Sequence, residues 1–220
     1  MFSKLRSLWI AGALCLVTGA ANAELLIPME IGTIWEYYTY YESNPDNGWT
    51  GRVETLGEIT EGSKTYFHFR MHEIDPGEID DRYARSTEDA VYGWNGAAEY
   101  TLWKTGRVGE TWTYIKDPAD LTRKTTVEII DDSVPITVPY GGPFYAYHYH
   151  KRSSSSVDPN AVWEWDEYVV PGLGMIKLVD DPASHSPRIT ELVVPEPSTF
   201  VLLGVGAVGL LMCRRRNRRR

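Results

Sequence analysis

The sequence predicts a mainly β body: an antiparallel curved sheet, open barrel or sandwich built from two similar units. An N-terminal signal helix and one C-terminal transmembrane helix are expected to flank it. Three observations carry this reading. Aromatic residues alternate with period two, turn-forming clusters separate the alternating stretches, and one aromatic pattern recurs at offsets of 77 to 85 residues.

The chain opens with Lys4 and Arg6, an apolar run from Leu8 to Val17, and the small-x-small site Ala21-Asn22-Ala23. Basic, apolar and small residues in that order form a secretory signal peptide over residues 1–23, with Ala21 and Ala23 marking cleavage. The run is short for a permanent membrane helix. The expected partners at this end are the secretion translocon and signal peptidase. Cys15 lies inside the run, behind Leu14, and is no lipoprotein acceptor.

The body is expected over residues 24–193, and its elements follow in order. Trp35, Tyr37 and Thr39 share one strand face, with Glu36 and Tyr38 on the other. "NPDNG" at Asn44–Gly48 predicts a turn. Phe67 and Phe69 flank His68. "DPGE" at Asp75–Glu78 and "NG" at Asn95–Gly96 predict two further turns. "YGGP" at Tyr140–Pro143 precedes a strand in which Tyr145, Tyr147 and Tyr149 oppose Ala146, His148 and His150. After "DP" at Asp158–Pro159, Trp163 and Trp165 oppose Glu164 and Asp166. Tyr168–Leu178 reads as strand, Pro-Gly turn and returning strand. No stretch has a helical apolar period; Thr87–Ala90 and Asp117–Leu121 offer one turn each at most.

An internal repeat organises these elements. "EIGTIWEYY" at Glu30–Tyr38 matches "RVGETWTYI" at Arg107–Ile115. Phe67-His68-Phe69 resembles Tyr147-His148-Tyr149, and Tyr83 corresponds to Tyr168. The expected units are 24–105 and 106–193, each of about four strands, sharing one sheet system because either alone leaves an apolar face open. In each Gly-x-x-Trp-x-Tyr the glycine admits a turn or bulge, and the two aromatics point into the core. Such segments followed by a Pro-Gly-x-Gly turn resemble modules of bacterial envelope proteins, a likeness that assigns no activity.

Charge and cysteine content exclude several function classes. The chain has 22 basic and 30 acidic residues. Lys4, Arg6 and six tail arginines account for eight of the former and Glu196 for one of the latter, so residues 24–195 hold 14 basic and 29 acidic side chains, a net of −15. That charge repels phosphates, so no nucleic-acid partner is expected. It serves solubility outside the cell, or attracts divalent cations or basic surfaces. The only cysteines, Cys15 and Cys213, lie in the appendages. The body therefore has no thiol nucleophile, no cysteine metal site and no disulfide, and its core must suffice.

Candidate chemistry is sparse. Ser153–Ser156 lacks a Gly-x-Ser-x-Gly elbow and reads as a flexible loop. His148 and His150 have a chelating spacing on one strand face, but no closed metal motif accompanies them. Glu164 and Asp166 stand roughly 7 Å apart on one strand face, as a solvated face also gives, and do not define a hydrolase pair. No catalytic residue, metal or cofactor is expected. Exposed aromatic rings can stack on sugars, and Trp49, Trp163 and Trp165 are the candidate carbohydrate-binding residues.

The last 27 residues, Val194–Arg220, contain Pro195-Glu196-Pro197, an uncharged 16-residue run Ser198–Cys213, and Arg214, Arg215, Arg216, Arg218, Arg219 and Arg220. The run would span about 24 Å as a helix, short of the roughly 30 Å hydrocarbon core, a mismatch that thinning and snorkelling arginines absorb. The arginines hold the C-terminus in the cytoplasm. The two prolines keep the motif extended.

This tail resembles the PEP-CTERM sorting signal. The resemblance implies exosortase, a membrane-embedded cysteine protease or transpeptidase, as a partner. Pro195, Glu196 and Pro197 would be its recognition motif, and the six arginines the retention signal. It further implies a protein exported through the inner membrane, transiently anchored with its body outside, then placed on the outer envelope surface or released. The expected role is a non-enzymatic structural or adhesive component of an exopolysaccharide-rich biofilm envelope; the alternative is a carbohydrate-binding module, with exopolysaccharide as candidate partner, and behind it a glycoside hydrolase.

Overall fold

A computed structural model of the chain describes residues 26–27, 29–72, 79–158 and 160–196. The signal peptide with Ala21 and Ala23, the "DPGE" turn, Pro197, the apolar run and the six arginines lie outside the described residues.

Among the described residues twelve strands form one antiparallel sheet: β1 (Ile34–Tyr41), β2 (Asn44–Glu61), β3 (Lys64–His72), β4 (Ile79–Ser86), β5 (Ala90–Trp94), β6 (Glu99–Lys104), β7 (Thr111–Tyr114), β8 (Arg123–Val138), β9 (Gly141–Ser155), β10 (Val162–Val170), β11 (Gly174–Asp180) and β12 (Arg188–Glu196). There is no helix among the described residues, and so none long and apolar enough to cross a membrane.

The strand order is β6-β5-β4-β3-β2-β1-β12-β11-β10-β9-β8-β7. Each strand pairs with its neighbour in sequence, and β1 pairs with β12 from Tyr41↔Arg188 to Ile34↔Glu196. The sheet curls until β6 and β7 meet. No ladder joins them; side chains do. Tyr100 stacks on Tyr114 at 5.0 Å, and the Trp112 indole N–H donates to the Thr101 carbonyl at 3.0 Å. The result is a nearly closed barrel, not a sandwich.

The alternating faces explain what lies inside. Trp35, Tyr37 and Thr39 are buried toward the interior. Phe67 and Phe69 pair with Ala84 and Arg82 and point the same way, which places His68 outside. Two differences arise from local geometry. "NPDNG" is part of β2, and the turn falls earlier, at Glu42 and Ser43. The Tyr38 hydroxyl takes the Gly48 N–H at 3.1 Å and donates to the Pro45 carbonyl at 3.1 Å, tying that segment onto β1. In β9, Tyr145 is 65% exposed while Ala146 is fully buried, the reverse of the expected faces. The β8–β9 ladder shifts register three times, and its outer part folds back, so that Val138 and Ala146 pack with Leu192 in one cluster.

The two Gly-x-x-Trp-x-Tyr segments sit in matching surroundings. Gly32 has φ +85° and Gly109 φ +83°, conformations that favour glycine. Their N–H groups donate to the Thr55 and Ile129 carbonyls, both at 2.8 Å. Six strands, rather than about four, lie on each side of the boundary expected near residue 105. β12 also extends through Glu196, past the boundary expected at residue 193.

The chain segment before β1 closes one end of the barrel. Leu26, Ile27 and Met29 are buried in the main hydrophobic cluster. The Leu26 N–H donates to the Thr87 carbonyl at 3.0 Å, the Ile27 N–H to the Ser86 hydroxyl at 3.0 Å, and the Leu26 carbonyl accepts from Gly172 at 3.2 Å. These bonds reach two turns on opposite sides of the sheet and form a floor. The loops after β5, β7, β9 and β11 lie at the other end, the mouth, where Asn95, Gly96, Asp117 and Pro118 border the interior.

Candidate functional site

The barrel encloses a cavity of about 1040 Å³. Its lower part is apolar: Trp35, Tyr37, Phe69, Val91, Leu102 and Met175 line it, above Ile27 and Met29 of the floor. Burial of these rings keeps the Tyr37 hydroxyl proton well beyond the usual phenol range. That hydroxyl donates to the Met175 carbonyl at 3.0 Å, so its polar tip is satisfied within the wall.

A polar network crosses the interior at mid-height. The Glu167 carboxylate of β10 accepts from the indole N–H of Trp103 on β6, from the indole N–H of Trp165 at 2.7 Å, and from the Lys151 ammonium of β9 at 2.7 Å. Lys151 is 1% exposed and lies 5.0 Å from the centroid of the Trp103 ring. Its loss of hydration lowers its pKa, against the opposing pull of Glu167. Three donors on one carboxylate meet the condition under which a buried ion pair is tolerated. Because Trp103 belongs to β6 and Glu167 to β10, the network also spans the β6–β7 seam.

Nearer the mouth, the Arg82 guanidinium lies 2.6 Å from Asp80, and the Lys116 ammonium 3.9 Å from the same carboxylate. Two cations therefore share one anion. Dehydration and the neighbouring Arg82 both hold Lys116 below the usual lysine range. At the rim, Arg188 pairs with Asp180 at 2.6 Å, and Arg123 lies 3.9 Å from Asp120.

A second depression of about 560 Å³ lies on the rim beside Trp163, Tyr41, Glu164, Asp181 and Arg188. Trp163 is 54% exposed and Tyr41 48% exposed. The Arg123 guanidinium stands 5.0 Å from the Trp163 ring centroid.

The structure separates the three candidate tryptophans. Trp163 belongs to both the rim groove and the mouth of the cavity. Trp165 points inside, committed to Glu167. Trp49 stands behind Tyr41, with ring centroids 6.3 Å apart.

The histidines and the carboxylate pair lie on the outer wall. His148 stacks on Tyr168 at 4.6 Å, and His68 stacks on Tyr83 at 4.8 Å. Asp166 lies 2.8 Å from His150 and 3.3 Å from His148; Asp81 lies 2.9 Å from Arg70 and 3.1 Å from His68. Burial raises the Asp166 carboxyl and the two imidazoles more than reverse this, leaving it below its ordinary value. Glu164 pairs with Arg152 at 3.2 Å. Among the described residues no group of three or more His, Cys, Asp or Glu is placed to hold a metal.

Glu167, Lys151, Arg82 and Lys116 were not candidates from sequence. A signal for two of them was present. The inward face Trp163, Trp165, Glu167, Val169 carries one carboxylate among apolar residues, and Tyr147, Tyr149, Lys151 carries one ammonium. Opposite charges at aromatic-rich inward positions point to an internal pair.

Residues 193–216 match the PEP-CTERM protein-sorting motif. The chain therefore carries a sorting signal that marks it as an exported protein and implies processing by exosortase. No curated protein matches the sequence. Among solved structures, the chain is similar to a protein of Bacteroides fragilis classed as exported, with a YmcC-like fold. Identity is 10%, with a TM-score of 0.52, over 79% of this chain and 100% of that one. It is also similar to a protein classed as a lipoprotein from Parabacteroides distasonis, at 14% identity and a TM-score of 0.48, over 77% of this chain and 97% of that one. At such identities the Bacteroides fragilis likeness concerns the fold alone.

Proposed function

We propose that the exported domain is a non-enzymatic binding protein of the envelope, which holds a small molecule inside its barrel. The observation that supports this is the cavity of about 1040 Å³, floored by Leu26, Ile27 and Met29 and open among the mouth loops. Ligand sites are concave, mostly apolar and furnished with a few convergent polar groups, over about 300–1,000 Å³. The interior has each of these properties. Val91 lines its apolar part and is 1% exposed, so Val91→Trp would fill the space a ligand needs. Titration with an environment-sensitive apolar dye should show saturable binding by the wild type and its loss in Val91→Trp, with circular dichroism unchanged. Absence of saturable binding by the wild type overturns the reading.

The rim supports a second reading, in which the protein is a structural or adhesive component that grips exopolysaccharide. Its supporting observation is the exposed pair Trp163 and Tyr41 facing one groove with Glu164, Asp181 and Arg188. Aromatic faces stack on sugar rings and flanking carboxylates and guanidinium fix hydroxyls. Retention on the host's own exopolysaccharide, lost in Trp163→Ala but kept in Val91→Trp, would favour this reading over the first.

A further inference from the structure

We infer that the occupant of the barrel is a single-chain amphiphile with an anionic head, its alkyl chain on the apolar floor and its head beside Arg82 and Lys116. The inference rests on the interior being a ligand site and adds the chemistry of the ligand.

The lower wall offers rings and aliphatic carbon, with the Tyr37 hydroxyl and the Trp35 indole already bonded to the Met175 and Leu173 carbonyls. A hydrocarbon chain loses nothing there, and a polar ligand would find no partner. The upper wall differs in charge from the rest of the body. Five of the body's 14 basic residues, Arg82, Lys116, Arg123, Lys151 and Arg188, line the cavity, against six of its 29 acidic ones. The interior is thus close to neutral while the body is strongly acidic.

Within that balance the cations divide into those with a carboxylate of their own and those without. Lys151 has Glu167 at 2.7 Å, Arg188 has Asp180 at 2.6 Å, and Arg123 has Asp120 at 3.9 Å. Among the described residues Arg82 and Lys116 share one ion-pair partner, Asp80, closer to Arg82, and Asp117 acts on Lys116 only at longer range. A second anion beside Lys116 completes the set. A carboxylate held on the floor side of Arg82 and Lys116 can accept from both cations while its chain extends toward Phe69, the direct cross-strand partner of Arg82. Charge-assisted bonds of this kind are shorter and stronger than neutral ones.

The test is isothermal titration of the purified domain with dodecanoate and with dodecanol, which share a chain and differ in head charge. Dodecanoate should bind about tenfold tighter than dodecanol, as one or two charge-assisted hydrogen bonds give. Lys116→Gln should weaken dodecanoate by about tenfold and leave dodecanol within about twofold. Asp80→Asn, which removes the competing carboxylate, should tighten dodecanoate; this opposite sign separates head recognition from general damage. Equal affinity for the two probes, or indifference of dodecanoate to both substitutions, overturns the anionic head while leaving the interior site standing. Failure of both probes to bind, when the apolar dye still binds, overturns the amphiphile. Failure of all three overturns the proposed function with it.

Discussion

Tyr100 of β6 stacks on Tyr114 of β7 at 5.0 Å, with planes 23° apart, across the seam that no backbone ladder spans. Elsewhere in the sheet, neighbouring strands share rows of backbone hydrogen bonds. Here closure depends on rings, the Trp112–Thr101 bond, the Trp103–Glu167 bond and the Tyr149 hydroxyl, which donates to the Lys104 carbonyl at 2.9 Å. Desolvation puts the Tyr100 hydroxyl proton at about 12, and Tyr114 is raised further.

Removing one ring should open the seam first. Tyr114→Ala deletes a side chain 8% exposed and should cost about 3 kcal/mol, as large-to-small changes in packed cores do. Urea unfolding measures the loss. Native-state hydrogen exchange should show β6 and β7 amides exchanging ahead of those in β1 and β12. Earlier exchange of β1 and β12 would show that the paired junction, not the seam, is the weak side.

A glycine protects the same contact from behind. Gly93 pairs with Tyr100, and the Tyr100 ring lies across its Cα, so any Cβ at position 93 would meet that ring. Gly93→Val should force the ring off Tyr114 and destabilise by about 1–3 kcal/mol, the range for overpacking. Combined with Tyr114→Ala, it should add little, because both break one contact. A fully additive pair would mean that the clash is relieved elsewhere.

The strands and their inward faces could be read from sequence because alternation of Trp, Tyr and Phe with charged residues is a local pattern. Trp35 and Tyr37, or Trp163 and Trp165, declare a face without reference to the partner strand. Closure into a barrel could not be read so, because it depends on curvature summed over twelve strands and on the meeting of Tyr100 with Tyr114, far from one pattern window. The cavity was hidden for the same reason: Arg82, Lys116 and Lys151 come from three separate places and converge only when the sheet curls. Tyr145 misled because the face that is buried changes where the β8–β9 hairpin folds back.

Acid should weaken an outer-wall network around Glu99. This carboxylate accepts from Arg85 at 2.6 Å, from Lys64 at 2.7 Å and from the Tyr66 hydroxyl at 2.6 Å. Arg85 first, then Lys64 and Tyr66, hold it at about 2 against an ordinary value of 4.5, with burial opposing. A carboxyl depressed on folding stabilises the native state fully above its unfolded value, and that stability fades as pH falls from about 4.5 towards 2. Glu99→Gln should therefore flatten the stability profile over this window and cost about 1–2 kcal/mol at pH 7. Denaturant midpoints from pH 2 to 7 measure it, and an unchanged slope would assign the acid sensitivity to other carboxylates.

The Glu167 network should respond to charge and shape differently. Glu167→Leu strands the Lys151 ammonium and two indole N–H groups in the interior and should cost about 3–5 kcal/mol. Glu167→Gln keeps an acceptor for part of the set and should cost less. Equal losses would show that the ion pair, rather than the hydrogen bonds, governs the site.

Sorting and folding should be separable at the end of β12. Pro195 and Glu196 pair with Trp35 and Ile34, beyond a register shift that interrupts the ladder between Glu36 and Tyr37. Before that shift, Leu192 to Arg188 make five continuous pairs with Tyr37 to Tyr41. Leu192 is fully buried, and Thr190 bonds Thr39 through their hydroxyls at 3.0 Å. The bonds that hold β12 thus lie upstream of the sorting motif. A chain ending at Val193 should unfold cooperatively, within about 1 kcal/mol of one ending at Glu196, because fraying strand ends contribute little. In the cell, Glu196→Ala should leave an unprocessed precursor that still carries its tail, visible as a larger species in the membrane fraction. A precursor processed like the wild type would remove Glu196 from recognition. A collapse of stability on ending at Val193 would show that the barrel needs the end of β12, which carries Pro195 and Glu196 of the motif.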